Sequence, residues 1–223
     1  MIIDLHTHTY PWSDDSNLDI PELVRMAKEA GLDAICVTEH DWFWDKDALA
    51  KLSREHNFLI LPGVEINTEE GHLLVFGIEK YSFGMHRTEY LKRVVDEVGG
   101  AMILAHPHRR QLHSTDDLYD AVEQCCQNSV FHLVDIIEAF NGRASARQNK
   151  FSQELCRRLN LKGIGGSDAH STSDMPSYAT LLEREISNVE ELVTELKAGR
   201  FRPLDLRQCP LDQVDDEYVP FLP

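Results

Sequence analysis

Histidines and acids stand at the ends of apolar runs in this chain. His6 and His8, two apart, follow Ile2-Ile3-Asp4-Leu5. In a strand, side chains at i and i+2 lie on one face. Two imidazoles therefore point the same way from the C-terminal edge of a first strand. The pattern recurs. Glu39-His40 closes a second apolar run, Glu65 follows a third, and His72 opens the next. His106-Pro107-His108, Glu138 and Asp168-Ala169-His170 follow at later strand ends. Neutral imidazole and carboxylate are ligands that zinc, manganese and iron accept. One such histidine alone reads as a satisfied core or surface residue, but a set at strand end after strand end predicts a metal centre. Gly63 and Gly165-Gly166, just before Glu65 and Asp168, let backbone approach a ligand or turn sharply.

Residues so spaced need a scaffold that gathers many strand ends. Strand signals cover Ile2–Leu5, Ala34–Val37, Phe58–Leu61, Ala101–Ala105, Leu133–Ala139 and Gly163–Gly166. Val64–Ile66 and His72–Phe76 read as a hairpin turning at Glu69-Glu70-Gly71. Helices are predicted over Pro21–Ala30, Asp45–His56, Thr88–Val98, from Thr115 or Asp116 to Gln127, Ala144–Leu159 and Val189–Lys197. Repeated strand–helix units predict an α/β fold with a parallel sheet. A doubly wound sheet draws its site from few strands. A site fed by almost every strand implies a closed or nearly closed barrel of about seven strands. No repeat or linker marks a second domain. Residues 1–202 are expected to form the barrel. Residues 203–223, where prolines and acids alternate without period, are expected to form a tail packed on the surface or partly mobile.

The formal charge is −16, from 22 basic and 38 acidic residues. Such a chain repels the nucleic-acid backbone non-specifically, and no basic arm is visible, so nucleic acid enters only as a substrate. The five cysteines (Cys36, Cys125, Cys126, Cys156 and Cys209) form no C-x-x-C and read as reduced thiols of a cytoplasmic protein. No signal peptide precedes the first strand, and no apolar run approaches the ~20 residues of a membrane span.

His6-Thr7-His8, Thr38-Glu39-His40, Gly63-Val64-Glu65, Ala105-His106-Pro107-His108-Arg109 and Gly166-Ser167-Asp168-Ala169-His170 resemble, in order, the motifs of the PHP (polymerase and histidinol phosphatase) family. Ile137–Gly142 is similar to a further segment common there. The resemblance implies a distorted seven-stranded β/α (TIM-like) barrel, two or three divalent ions (Zn, Mn or Fe) and hydrolysis of phosphoric esters. It implies a first metal position at His6, His8, Glu65 and Asp168. Glu65 would bridge to a second, with His72 and His106. Asp14, His40 and His170 would hold a third. The chain is one residue longer than the family pattern before that aspartate, so Asp15 is the alternative ligand. Arg109 or Arg110, and more distantly Arg143, suit phosphate oxygens with their planar forks. Glu138 reads as an acceptor that orients a ligand histidine.

Two metals ~3.5–4 Å apart clamp phosphoryl oxygens and lower the pKa of a shared water towards ~7. No protein nucleophile is then required, which suits a chain without a Ser/His/Asp or Cys/His signature. His108, His170 or a metal-bound water is the candidate leaving-group acid. The expected activity is hydrolysis of a small phosphorylated molecule. The rivals are exonuclease-type hydrolysis, carbon–nitrogen hydrolysis and a non-catalytic metal-binding regulatory module. Carbon–nitrogen hydrolases on a similar barrel usually carry a bridging lysine, and no lysine stands at a strand end here. Trp12, Trp42 and Phe43 sit in loops beside the first two motifs, where they either line a pocket for an apolar or aromatic leaving group or simply pack.

Overall fold

The structure is a computed structural model and describes residues 1–208. Its elements run β1 (Ile2–Thr7), α1 (Ile20–Glu29), β2 (Ala34–Val37), α2 (Lys46–His56), β3 (Leu59–Pro62), β4 (Val64–Asn67), β5 (His72–Phe76), α3 (Thr88–Val98) and β6 (Ala101–Leu104). They continue α4 (His108–Gln111), α5 (Leu118–Cys125), a 3-10 turn (Ser129–His132), β7 (Ile136–Asn141), α6 (Ala146–Leu159), β8 (Lys162–Gly166), β9 (Tyr178–Leu182), α7 (Val189–Lys197) and β10 (Phe201–Asp205).

Local chemistry sets the helix ends. Asp19 caps α1 by accepting from the Glu22 amide, with Pro21 in the first turn. Ser145 and Gln148 form a reciprocal capping box on α6. Asn57, Gly99 and Asn160 close α2, α3 and α6 in the left-handed conformation. The apolar stripe Leu23, Val24 and Ala27 then buries α1 against β2 residues Ile35 and Val37.

The ten strands lie in two five-stranded sheets, ordered β10-β9-β1-β2-β3 and β4-β5-β6-β7-β8. The described residues thus carry more strands than the seven expected, in two sheets rather than one. Antiparallel pairing enters twice: β4, β5 and β6 form a meander, and β9 pairs antiparallel with both β1 and β10. The sheets meet at two seams. At one, the Gly63 amide donates to Val37 O, Glu65 to Glu39 O and Asp41 to Glu65 O. At the other, Asp168 donates to His6 O and His8 to Ala169 O. Ile3, Leu5 and Cys36 of the first sheet share one core with Phe76, Ile103 and Ile164 of the second. The C-terminal ends of β1, β2 and β8 are thereby drawn to the start of β4.

β9 and β10 had no counterpart in the sequence reading, and β10 crosses the expected boundary at residue 202. Pro203 carries no amide N–H and reads as a strand breaker. It is tolerated because β10 is an edge strand. Pro203 pairs with Thr180, Leu204 with Ala179 and Asp205 with Tyr178. Residues 209–223 of the expected tail, with Cys209, lie outside the described residues. Leu204 is fully buried. Leu204→Ala is therefore expected to lower the unfolding free energy by about 2–5 kcal/mol, read from a urea denaturation midpoint. A loss under about 0.5 kcal/mol, as for a surface position, would count against β10 as part of the core.

Candidate metal centre

The first strand delivers more than two histidines. Asp4, His6 and His8 alternate along β1 and its end, and all three are fully buried. Asp4 Oδ1 accepts from the amides of His6 (3.1 Å) and Ser167 (3.0 Å), tying the end of β8 to β1. Burial pushes the Asp4 carboxyl up to about 6. Sequence reasoning passed over Asp4, although a carboxylate two residues before His6 in an apolar strand was a legible signal.

The second layer fixes how the imidazoles face. His6 Nδ1 donates to Glu138 Oε1 at 2.9 Å, which in the neutral ring frees the Nε2 lone pair. Glu138 Oε2 also accepts from the His106 amide (2.8 Å) and Asn141 Nδ2 (3.0 Å). His8 Nδ1 donates to Ser13 Oγ (3.1 Å), and that hydroxyl in turn donates a hydrogen bond to Glu39 Oε2 (2.6 Å). Glu39 stands outside the cluster. It holds Thr9, Ser13 and the Trp44 indole instead.

Glu65 occupies the middle, almost wholly buried. His72 Nδ1 and His106 Nε2 each lie 2.9 Å from Oε1. His8 Nε2 is 3.3 Å from Oε2, and His40 Nδ1 is 2.9 Å from Oε2 without hydrogen-bond alignment. His6 Nε2 lies 3.5 Å from both Glu65 Oε1 and Asp168 Oδ1. Burial raises the Glu65 carboxyl, but His6 and the His106 hydrogen bond overcome that and hold it well below the usual range. Asp168 behaves alike: burial raises it, and His6, His106 and Arg109 lower it further. For His6 the signs reverse. Burial opposes the charged ring, and Glu138, Asp168 and Glu65 together raise it well above its ordinary value.

His6 Nε2, His8 Nε2, Glu65 Oε2 and Asp168 Oδ1 are buried and have no hydrogen-bond partner. His6 Nε2 to Asp168 Oδ1 (3.5 Å), His8 Nε2 to Glu65 Oε2 (3.3 Å) and His8 Nε2 to Asp168 Oδ1 (3.5 Å) are poor separations for hydrogen bonds. They match two ligand atoms ~2.1 Å from one shared ion, which lie roughly 3.0–3.4 Å apart at tetrahedral or right angles. The residues present therefore fit a metal. Four overlapping triads could each hold an ion: His6, His8 and Glu65; His6, His106 and Asp168; His40, Glu65 and His72; and His8, His40 and His170.

The structure separates the two candidate aspartates. Asp15 reaches His40 Nε2 at 3.4 Å and His170 Nε2 at 3.2 Å. Asp14, exposed, makes no contact with the cluster among the described residues. Ser13 and Ser16, both buried, anchor the turn on Glu39 and on the His8 and His170 carbonyls, and Asp15 lies between those anchors. Arg109 donates to Asp168 Oδ2, and Arg143 Nη1 lies 3.0 Å from His170 Nδ1. Arg110 instead donates to Glu69 O and Asn67. His108 is buried with Nδ1 unpartnered, and burial, with His106 beside it, lowers it to about 4. It is neutral at neutral pH. Phe43 packs on the core of the second sheet.

Backbone also bends to serve the cluster. His106 (φ 24°) and Asp168 (φ 56°) lie in the left-handed region that side chains avoid. Gly166 is required by close approach: a Cβ there would stand 2.8 Å from both Glu138 Oε1 and His6 Cβ.

Residues 146–201, from α6 to the start of β10 and including Asp168 and His170, match the family model described as PHP-associated. An uncharacterized protein of Methanocaldococcus jannaschii is 26% identical over 152 residues, covering 63% of this chain and 82% of that protein. In fold, the chain is similar to PsfC from Pseudomonas syringae (TM-score 0.62, 20% identity, 92% of this chain and 91% of that one). It is also similar to a two-domain Bacteroides vulgatus protein containing a predicted PHP-like metal-dependent phosphoesterase (TM-score 0.59, 21% identity, 92% of this chain and 64% of that one). The matched segment carries Asp168 and His170, two of the ordered motif residues that converge on the Glu65 cluster, and over residues 146–201 the chain is similar to the PHP family.

Proposed function

We propose that the cluster holds two or three divalent ions and that the chain hydrolyses a phosphoric ester of a small molecule. The observation that carries this reading is the convergence of four buried, unpartnered ligand atoms from His6, His8, Glu65 and Asp168. These four would hold a first ion. Glu65, His72 and His106 would hold a second, and His40, His170 and Asp15 a third. Zinc, manganese and iron all suit such a set. When bound, such ions supply the positive charge that draws a phosphate in and make water acidic enough to attack phosphorus. The hydrogen bonds across both seams support a distorted barrel as the frame. The anionic surface disfavours nucleic acid as the substrate.

The chain's own groups do the rest. Glu138 and Ser13 hold the ligand rings in one tautomer. Arg109 and Arg143 offer further N–H donors to phosphate oxygens from the side of Asp168 and His170. His108, neutral, accepts or donates one hydrogen bond without adding charge. Among the described residues no helix is long and apolar enough to cross a membrane.

Three outcomes are expected. In metal-free protein at neutral pH, His6 is protonated, because its folded value is raised well above the ordinary one. Ion uptake then displaces that proton, so affinity climbs with pH until His6 has titrated. Calorimetry of zinc or manganese binding in buffers of differing ionisation enthalpy reads the released proton, and heats independent of buffer would contradict it. Second, Gly166→Ala crowds His6 and Glu138 and is expected to weaken metal affinity by about 10–100-fold, the scale of disturbed outer-shell contacts. Equilibrium dialysis checks it. Third, metal-loaded protein is assayed on an aryl phosphate, mononucleotides, histidinol phosphate and single-stranded DNA. Turnover of a small ester, lost by more than about 100-fold in folded Glu65→Gln, supports the reading. A fully metallated sample inert to every phosphoester sinks it.

A further inference from the structure

Trp12, Trp42 and Trp44 lie on the loops that follow His8 and His40 and take no part in the cluster. Trp12 and Trp42 are stacked, with ring centroids 4.5 Å apart and 16° between planes, and Trp44 meets Trp12 edge-on at 5.5 Å. The stacked pair nevertheless stays 37% and 44% exposed. Each indole covers one face with the other and keeps the rest of its surface open to a further ring.

Their placement ties them to the cluster. Trp12 precedes Ser13, whose hydroxyl meets His8, and stands three residues before Asp15. Trp42 follows His40 by two residues. The Trp44 Nε1 donates to Glu39 Oε1 at 3.1 Å, and the same buried carboxylate holds Thr9 and Ser13. One carboxylate thus braces both loops. The indoles are held in place before a ligand arrives, so a ring that lands on them loses little further freedom.

We infer that the exposed indole pair is the leaving-group platform of the site. The substrate is a phosphoric ester whose alcohol carries a planar aromatic ring, laid against an indole while its phosphate meets the cluster. This inference rests on the phosphoesterase reading above. In the reaction, the bond from phosphorus to the aromatic alcohol's oxygen breaks and a bond from water oxygen to phosphorus forms. One proton of that water ends on the leaving oxygen. A simple aromatic alcohol and a nucleoside share this chemistry. Stacking on an aromatic side chain changes affinity by about tenfold to a hundredfold.

The test compares esters whose leaving groups are all alkoxides, so that intrinsic reactivity does not mask binding. Benzyl phosphate and adenosine 5'-monophosphate are set against glycerol phosphate. At least one aromatic ester is expected to exceed glycerol phosphate by about tenfold or more in kcat/KM, chiefly through KM. A preference for adenosine monophosphate identifies a nucleobase, and one for benzyl phosphate a simple ring. The ratio is expected to collapse in Trp42→Leu and to survive in part in Trp42→Phe. Calorimetry gives a readout without turnover: benzylphosphonate should bind tighter than methylphosphonate, and Trp42→Leu should erase the difference. Equal kcat/KM for all esters, or a ratio unchanged in Trp42→Leu, overturns the platform while leaving the phosphoesterase reading standing. If no ester is hydrolysed, that reading fails, and the phosphonates still decide the platform. Equal binding of the two then overturns it.

Discussion

A carboxylate buried among imidazoles is the constraint on which this molecule depends. Glu65 has lost its water, and its oxygens face His8, His40, His72 and His106 at 2.9–3.3 Å. Removing a charge from water costs several kcal/mol unless it is paired and fully hydrogen-bonded. Here the pairing is incomplete, because one oxygen has no hydrogen bond and neighbouring ring nitrogens share that lack. A proton on His6 relieves part of the deficit. Divalent cations would relieve more, since they would add positive charge where the unpartnered ligand atoms gather.

Such a site persists only if the surroundings fix it. Glu138 reaches His6, the His106 amide and Asn141 from β7, and Asp4 holds the Ser167 turn to β1. The backbone accepts left-handed conformations at His106 and Asp168 because these contacts over-determine them. The same carboxylates seal the seam between β1 and β8. Fold and site therefore share their polar contacts, and neither sheet alone completes the cluster.

Away from this buried centre the control passes to loops. Glu39 supports the His8 ring through Ser13 and the rim indoles through Trp44. One group thus couples ligand orientation to the shape of the entrance. Asp15, whose side chain is 58% exposed, is the most accessible member of the site. It sits on the same loop as Trp12, three residues further along.

Much of this was legible in the residues. Periodicity placed β1, β2, the β4–β5 hairpin, α3 and α7, because alternation and capping are local properties. The ordered His and acid positions at strand ends identified the residues that gather on Glu65. Other features escaped. β10 was masked by Pro203, which only its position at a sheet edge permits. The choice of Asp15 over Asp14 depended on how Ser13 and Ser16 anchor a turn, and the positions of Arg109 and Arg143 depended on Asp168 and His170 across the sheets. The sequence by itself determined which residue types end which strands, since side-chain period and turn chemistry are written locally. Only the tertiary structure decided which atoms face one another, because hydrogen bonds between distant strands fix tautomers, rotamers and the two-sheet closure.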